Sequence, residues 1–183
     1  MSNWVKTYVV STEHWQTRAE VLEHFIKIAE KCMDLNNFNA MMEIISGLNT
    51  TSINRLKHTW NAISPKAQSL YSKMGQIMSP DKNYANFRHT LHTRQPPCLP
   101  YFGMYLTDLT FIEDGNKDLL PGSDLINFSK RRRTAAVITE IQQYQQVRVF
   151  FILLFFIYTL SIVALCAGAC RPDPDPDPRG LCL

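Results

Sequence analysis

Residues 64–80 read SPKAQSLYSKMGQIMSP, a stretch that opens and closes on the same dipeptide. Serine followed by proline is a helix-start signal. The serine hydroxyl caps a free backbone N–H, and proline at the first helical position gives up an N–H that would be unpaired anyway. Ser64-Pro65 therefore begins one helix and Ser79-Pro80 the next, one helix length further on. Two starts so spaced predict an all-helical body.

Upstream, Thr17-Arg18-Ala19-Glu20 has capping-box spacing, and Val21, Phe25, Ile28, Ala29 and Cys32 then recur at helical intervals. Asn36-Asn37 breaks that pattern. A second helix carries Phe38, Met41, Met42, Ile45 and Leu48, with the methionines read as core filling rather than a ligand box. Asn49 to Ser52 is a polar break, followed by a short helix with Ile53, Leu56 and Trp60.

Downstream, Gln95-Pro96-Pro97-Cys98-Leu99-Pro100 cannot be helix, because three prolines fix the backbone and remove donors. It leads into an apolar helix over Tyr101–Ile112, a turn at Gly115-Asn116, and a last helix from Leu125 through Ile138 and Ile141 to Gln145. Strand-like alternation is not sustained anywhere in residues 1–146, and no internal repeat is present. The fold class is all-α.

The chain has 183 residues, is 45% hydrophobic and 19% charged, and carries a net charge of +3. That describes a globular chain able to bury a core. It lacks the concentrated basic surface of a nucleic-acid binder. Cys32 falls on the apolar stripe and Cys98 among prolines, which reads as packing, and no CxxC pair supports zinc or redox chemistry. The simplest setting for the body is reducing and cytoplasmic. His89 and His92 are three apart but lack partners, so neither metal nor cofactor is expected. The first twenty residues lack the apolar core of a signal peptide.

The chain divides into a body over 1–146, an apolar segment over 147–170 and a Pro/Asp-rich tail over 171–183. Residues 149–170, VFFILLFFIYTLSIVALCAGAC, are 22 without a charge, long enough to span a bilayer as a helix. Three readings stand. As a membrane anchor, it has Lys130 to Arg133 and Arg148 on one side and aspartates on the other, which keeps the body cytosolic. As a product of alternative splicing or retained non-coding sequence, it need have no role. As a buried core helix, it is too apolar all round. The tail alternates proline and aspartate, is extended, and ends without a prenylation box.

Eight stretches in order resemble the catalytic domain of Ras-family guanine-nucleotide exchange factors, nearest in flavour to the Son-of-sevenless and Ras-GRF types. They are Leu35–Asn39, Gly47–Asn49, Arg55–Trp60, Pro96–Cys98, Tyr101–Asp108, Glu113–Asn116, Leu125–Arg132 and Glu140–Gln145. The resemblance enters inside the family's domain and stops at Gln146, so a partial domain is expected.

The resemblance implies a helical domain with a projecting hairpin that levers open the nucleotide site of a Ras-, Rap- or Ral-class GTPase. The rest of the domain grips the switch 2 region. No covalent chemistry occurs, so the chain is a regulator and not an enzyme. By position, Tyr101, Thr107, Thr110 and Asp114 lie on the first hairpin helix and its end. Asp114 stands where the family places an acid that disfavours magnesium and phosphate. It is one methylene shorter than the usual glutamate, and Glu113 is a neighbouring substitute. Thr110 stands where some members carry a bulky apolar plug. Met42, Asn49 and Tyr84 match GTPase-facing positions, while Arg55, His58 and Trp60 are expected to support the hairpin and core.

Each feature also has a plainer reading. Asn49 alone is a turn residue, Asp114 a helix-end acid, and Lys130 to Arg133 a solvated helix face, a nuclear signal or a lipid patch. The alternative function is a fragment that binds a GTPase without ejecting nucleotide. A third reading is a small membrane protein with a vestigial soluble part.

Overall fold

A computed structural model describes residues 1–145; the apolar segment 149–170 and the tail 171–183 lie outside the described residues. The described chain is helical throughout. In order come α1 (Ser2–Ser11), α2 (Trp15–Asp34), α3 (Phe38–Leu48), α4 (Thr51–Asn54), α5 (Lys57–Ala62), α6 (Pro65–Ile77), α7 (Asp81–Thr93), α8 (Phe102–Gly115) and α9 (Phe128–Gln145). Two isolated bridges, Asn37 with Leu99 and Leu119 with Ile126, supply the extended pairing among the described residues.

The start signals act locally. The Ser64 hydroxyl accepts from the Ala67 N–H at 3.3 Å with Pro65 at the first helical position, as the sequence predicts. The Ser64 N–H in turn donates to Glu23 of α2, which holds that carboxyl below its usual range and ties α6 to α2. Asn37 caps α3, its Oδ1 accepting from the Ala40 N–H at 3.0 Å.

Four expectations shift. The capping box at Thr17 is not used. α2 begins at Trp15, and Arg18 secures its start by donating to the carbonyls of Thr12 and Glu13, both at 2.8 Å. The short helix after the polar break is two, α4 and α5, with Trp60 Nε1 donating across their joint to the Ile53 carbonyl at 3.0 Å. The last helix starts at Phe128, not Leu125. Residues 119–127 instead form a turn, with Leu120 N–H donating to the Leu125 carbonyl at 2.9 Å and Asn127 N–H to the Asp118 carbonyl at 2.7 Å. After Ser79-Pro80 the chain does not run straight into a right-handed helix. Lys82, Asn83 and Tyr84 take φ of 49°, 56° and 58°, a left-handed turn that costs roughly 1–2 kcal/mol per residue.

α2 is the central element, packed against α1, α3, α5 and α6. Its buried face includes Val21, Leu22, Phe25, Ile26, Ile28, Ala29 and Cys32. Trp4 and Tyr8 of α1 meet Phe25 edge-on at 5.5 and 6.0 Å. Phe38 of α3 meets Phe87 of α7 edge-on at 5.3 Å, both fully buried. Each such side chain contributes about 1.5–3 kcal/mol through removal from water. Cys32 and Cys98 are buried free thiols pushed up to about 11 chiefly by desolvation, consistent with packing roles.

Gly47 marks where α1 crosses α3. A Cβ there would lie 2.9 Å from the Ser2 carbonyl oxygen and 3.0 Å from Val5 Cβ. Gly47→Ala is therefore expected to lose about 1–3 kcal/mol by overpacking, more than the roughly 1 kcal/mol that alanine returns as helix propensity. A urea midpoint at or above wild type would show that the crossing is looser than this.

The proline-rich stretch docks on the α2–α3 corner and roots the last two helices. Leu99 N–H donates to the Asn36 carbonyl at 2.9 Å, and its own carbonyl accepts from Phe38 N–H at 3.0 Å. Asn36 Nδ2 donates to the carbonyls of Gln95 and Pro97 at 3.1 and 3.3 Å. From that root α8 and α9 form an antiparallel hairpin. Tyr105, early in α8, donates to Glu140, late in α9, at 2.9 Å. Glu113, late in α8, meets Lys130, early in α9, at 2.8 Å. Met104 and Tyr105 of α8 belong to the core, and Val137, Ile141 and Tyr144 of α9 pack against it, so the base of the hairpin is rooted in the core, while beyond Tyr105 α8 buries no residue among those described.

Candidate functional site

The candidate site has three parts, each set by a different local device. The first is the end of α3. Met42 is half-buried against the core and Asn49 is exposed at the helix C-cap, seven residues on and so on the same face. Asn49 Oδ1 accepts from the Tyr71 hydroxyl at 2.6 Å, and its carbonyl accepts from Asn54 Nδ2 at 3.0 Å. Burial raises the Tyr71 phenol to about 12, so it stays a donor, and Trp60 packs on it with ring centroids 5.0 Å apart. These contacts fix the Asn49 side chain through its oxygen and leave its amide N–H group without a partner among the described residues. Trp60 thus supports the core as expected, whereas Arg55 and His58 are exposed and do not.

The second part is the left-handed turn opening α7. It swings Tyr84 onto Tyr101, with ring centroids 5.9 Å apart, and burial followed by the neighbouring Tyr101 raises the Tyr84 phenol. Asp108 of α8 holds the turn in place. It accepts from Asn83 Nδ2 at 2.9 Å and from Arg88 at 2.6 Å, while Arg88 Nε also donates to the Asn83 carbonyl at 2.9 Å. Asp108 falls inside a matched stretch of sequence, but its partners on α7 leave no local signal.

The third part is the outer face of α8. Thr107, Thr110, Phe111 and Asp114 stand at i, i+3, i+4 and i+7, one stripe along the helix. The Thr107 and Thr110 hydroxyls donate back to the Gly103 and Leu106 carbonyls at 2.8 and 2.9 Å, leaving their methyl groups to the surface. Beside them Leu106 is 63% exposed and Phe111 68%. Asp114 is exposed and has no hydrogen bond or ion pair among the described residues. Glu113 is committed to Lys130 and does not replace it. Among the described residues no hydrogen bond, ion pair or ring contact joins Met42 or Asn49 to the hairpin, so the candidate residues do not form one bonded cluster.

Lys130 corrects the reading of its basic run. It is 2% exposed, with Nζ at 2.8 Å from both Glu113 and Asp118 and 3.3 Å from the Glu113 carbonyl, while Arg131 adds 3.0 Å to Asp118. Hydrogen bonding from Lys130 holds the Asp118 carboxyl below its usual range, and the reciprocal bonds to Asp118 and Glu113 raise Lys130. Lys130 is a clasp across the hairpin tip; only Arg131, Arg132 and Arg133 of the run remain on the solvated face. Among the described residues no group of three His, Cys, Asp or Glu side chains is placed to hold a metal.

The RasGEF domain profile matches residues 1–132. The chain belongs to the RasGEF domain family. Over 143 residues this RasGEF domain is 48% identical to Ras guanine nucleotide exchange factor Y of Dictyostelium discoideum, a match covering 78% of the chain and 9% of that protein. It is 43% identical over 146 residues to Ras guanine nucleotide exchange factor M of the same organism, covering 80% and 16%. It is 40% identical over 146 residues to Ras-specific guanine nucleotide-releasing factor 1 of Rattus norvegicus, covering 80% and 12%. The RasGEF chain thus spans under a fifth of the length of these curated relatives.

Proposed function

We propose that this chain is a guanine-nucleotide exchange factor for a Ras-family small GTPase, of the Ras, Rap or Ral class. The observation that carries the reading is the hairpin face, where exposed Leu106 and Phe111 flank Thr110 and an Asp114 unpaired among the described residues, on a protein of this family. Exposed apolar side chains grouped on one face are suited to a partner surface. A free carboxylate at the end of that face opposes bound phosphate by like charge. At 4 Å each unit of opposition is worth about 1–4 kcal/mol between water and a protein surface, and 1.4 kcal/mol is ten-fold in an equilibrium. The exchange factor binds the nucleotide-free GTPase better than the loaded one and so speeds GDP release without forming or breaking a bond. Met42, Asn49 and Tyr84 grip the GTPase while Tyr101, Thr107, Thr110 and Asp114 act at its nucleotide site.

The test is release of a fluorescent GDP analogue from Ras, Rap and Ral proteins. Acceleration is expected for at least one, and Asn49→Ala and Asp114→Ala should each lower it about ten-fold. Unchanged rates in both variants refute the site. Complex formation without acceleration by the folded protein favours the alternative, a binding fragment without exchange activity.

Residues 149–170 belong to this reading as a membrane anchor that places the domain beside a lipid-bound GTPase. The support is their 22 uncharged residues following a basic stretch. The full chain should pellet with membranes through an alkaline carbonate wash, and residues 1–146 should not. Equal behaviour of the two removes the anchor.

A further inference from the structure

We propose that the concavity between the start of α2 and the α4–α5 joint binds a small ligand carrying clustered phosphate groups, an inositol phosphate taken either free or as a lipid headgroup. The concavity measures about 570 Å3, within the range of small-molecule sites, and Trp15, Arg18, Arg55, Lys57 and His58 line it. No carboxylate belongs to its wall.

Three observations point to a phosphorylated ligand. The first is uncompensated charge. Arg88, Lys130 and Arg131 each meet a carboxylate, whereas the side chains of Arg55, Lys57 and His58 make no hydrogen bond or ion pair among the described residues. Low-dielectric walls focus the field of such charges into the space between them.

The second is preorganisation. The Arg18 guanidinium is fixed by its bonds to the Thr12 and Glu13 carbonyls. Arg55 and Lys57 flank Leu56, at a joint braced by the Trp60 bond to the Ile53 carbonyl. Arg18, held in place, loses less freedom on binding than a mobile cation would, while Arg55 and Lys57 are positioned through their backbone alone.

The third is the kind of surface. Arg18, Arg55 and Lys57 are donors without acceptor capacity, and His58 adds a ring N–H. Trp15, 48% exposed, offers a flat apolar wall beside them. Clustered donors of this kind match a ligand rich in anionic acceptor oxygens. A ring bearing acceptors all round, its C–H face against an indole, uses the whole lining.

This inference is independent of the exchange reading. The probe is fluorescein-labelled inositol trisphosphate, followed by anisotropy with the full chain near physiological ionic strength. Saturable binding is expected. Arg55→Gln together with Lys57→Gln should weaken it at least about ten-fold, with the helical circular dichroism and melting of the wild type, because neither side chain belongs to the core. A second arm measures flotation with phosphatidylcholine vesicles carrying phosphatidylinositol bisphosphate, against phosphatidylserine vesicles matched in charge. A wild-type-minus-variant difference confined to the phosphoinositide supports the site with a lipid source. Binding of the free probe with no vesicle difference supports it with a soluble source. Lack of saturation up to about 1 mM probe overturns the proposal, as does binding undiminished in the double variant. Binding of a phosphoserine peptide in place of the inositol probe also overturns it, in favour of a phosphoprotein partner.

Discussion

Lys130→Met is expected to lower the maximal rate of GDP release about 100-fold while leaving the concentration of GTPase needed for half-saturation nearly unchanged. Lys130 lies under the hairpin tip, nearly inaccessible, and reaches back across the turn to two carboxylates and a carbonyl that precede it. Methionine keeps the length of the stem but removes the charge. Glu113 and Asp118 are then left beside each other as like charges, and the turn between α8 and α9 opens. Asp114 follows Glu113 directly, so the carboxylate proposed to act at the nucleotide site loses its orientation. The grip proposed for Met42 and Asn49, on a different element, is untouched.

Methionine combined with Glu113→Gln and Asp118→Asn removes the repulsion and should recover part of the rate. A rate loss matched by a rise in half-saturation would instead place Lys130 in GTPase binding. Unchanged kinetics would remove the clasp from the mechanism. The pH dependence has a definite sign. The lowered Asp118 value means its contribution is complete above the ordinary aspartate value, near 3.9, and is lost as pH falls through the lowered one. The raised Lys130 value means its contribution is complete below the ordinary lysine value, near 10.4, and is lost as pH rises through the raised one. The clasp is therefore intact throughout the neutral range.

Asp108→Ala is expected to cost about 2–3 kcal/mol of folding stability and to reduce exchange as well. The Asp108 and Arg88 side chains are 15% and 27% exposed, so Arg88 is left largely buried without a counter-charge. Asn83 loses its partner at the same time. The left-handed run at Lys82, Asn83 and Tyr84 is unfavourable by itself, and Asp108 is what compensates it. With that support gone the turn relaxes and Tyr84 leaves Tyr101. Urea unfolding reads the stability, and a loss under about 0.5 kcal/mol would mean that the turn is held elsewhere. Asp108→Asn keeps an acceptor for Arg88 or Asn83 and should lose less than alanine.

The cap at Ser64, the breaks at Asn36-Asn37 and at the prolines, and the apolar stripe from Val21 to Cys32 are legible in the sequence because each acts within one or two turns of chain. Capping is settled by atoms three residues apart, as in the bond from Ala67 N–H to Ser64. The order of the matched stretches likewise carries the family and the hairpin. The false start at Thr17 shows the limit of the local rule. The spacing is right, yet Arg18 reaches back to two carbonyls and the helix begins at Trp15.

Residue types and their order thus determined an all-helical body of this family, the positions of most of its helices, and which residues occupy the hairpin face. Tertiary structure decided the fate of the charges. Lys130 and Arg131 adjoin in the chain, yet one is buried between two carboxylates while the other stays half-exposed. Glu113 and Asp114 also adjoin, and among the described residues only the second is left unpaired. A charge is solvated or buried according to what lies within a few ångströms of it. For Lys130 those neighbours are 12 and 17 residues away, and for Asp108 they are 20 and 25, distances that only the packing of α7, α8 and α9 closes.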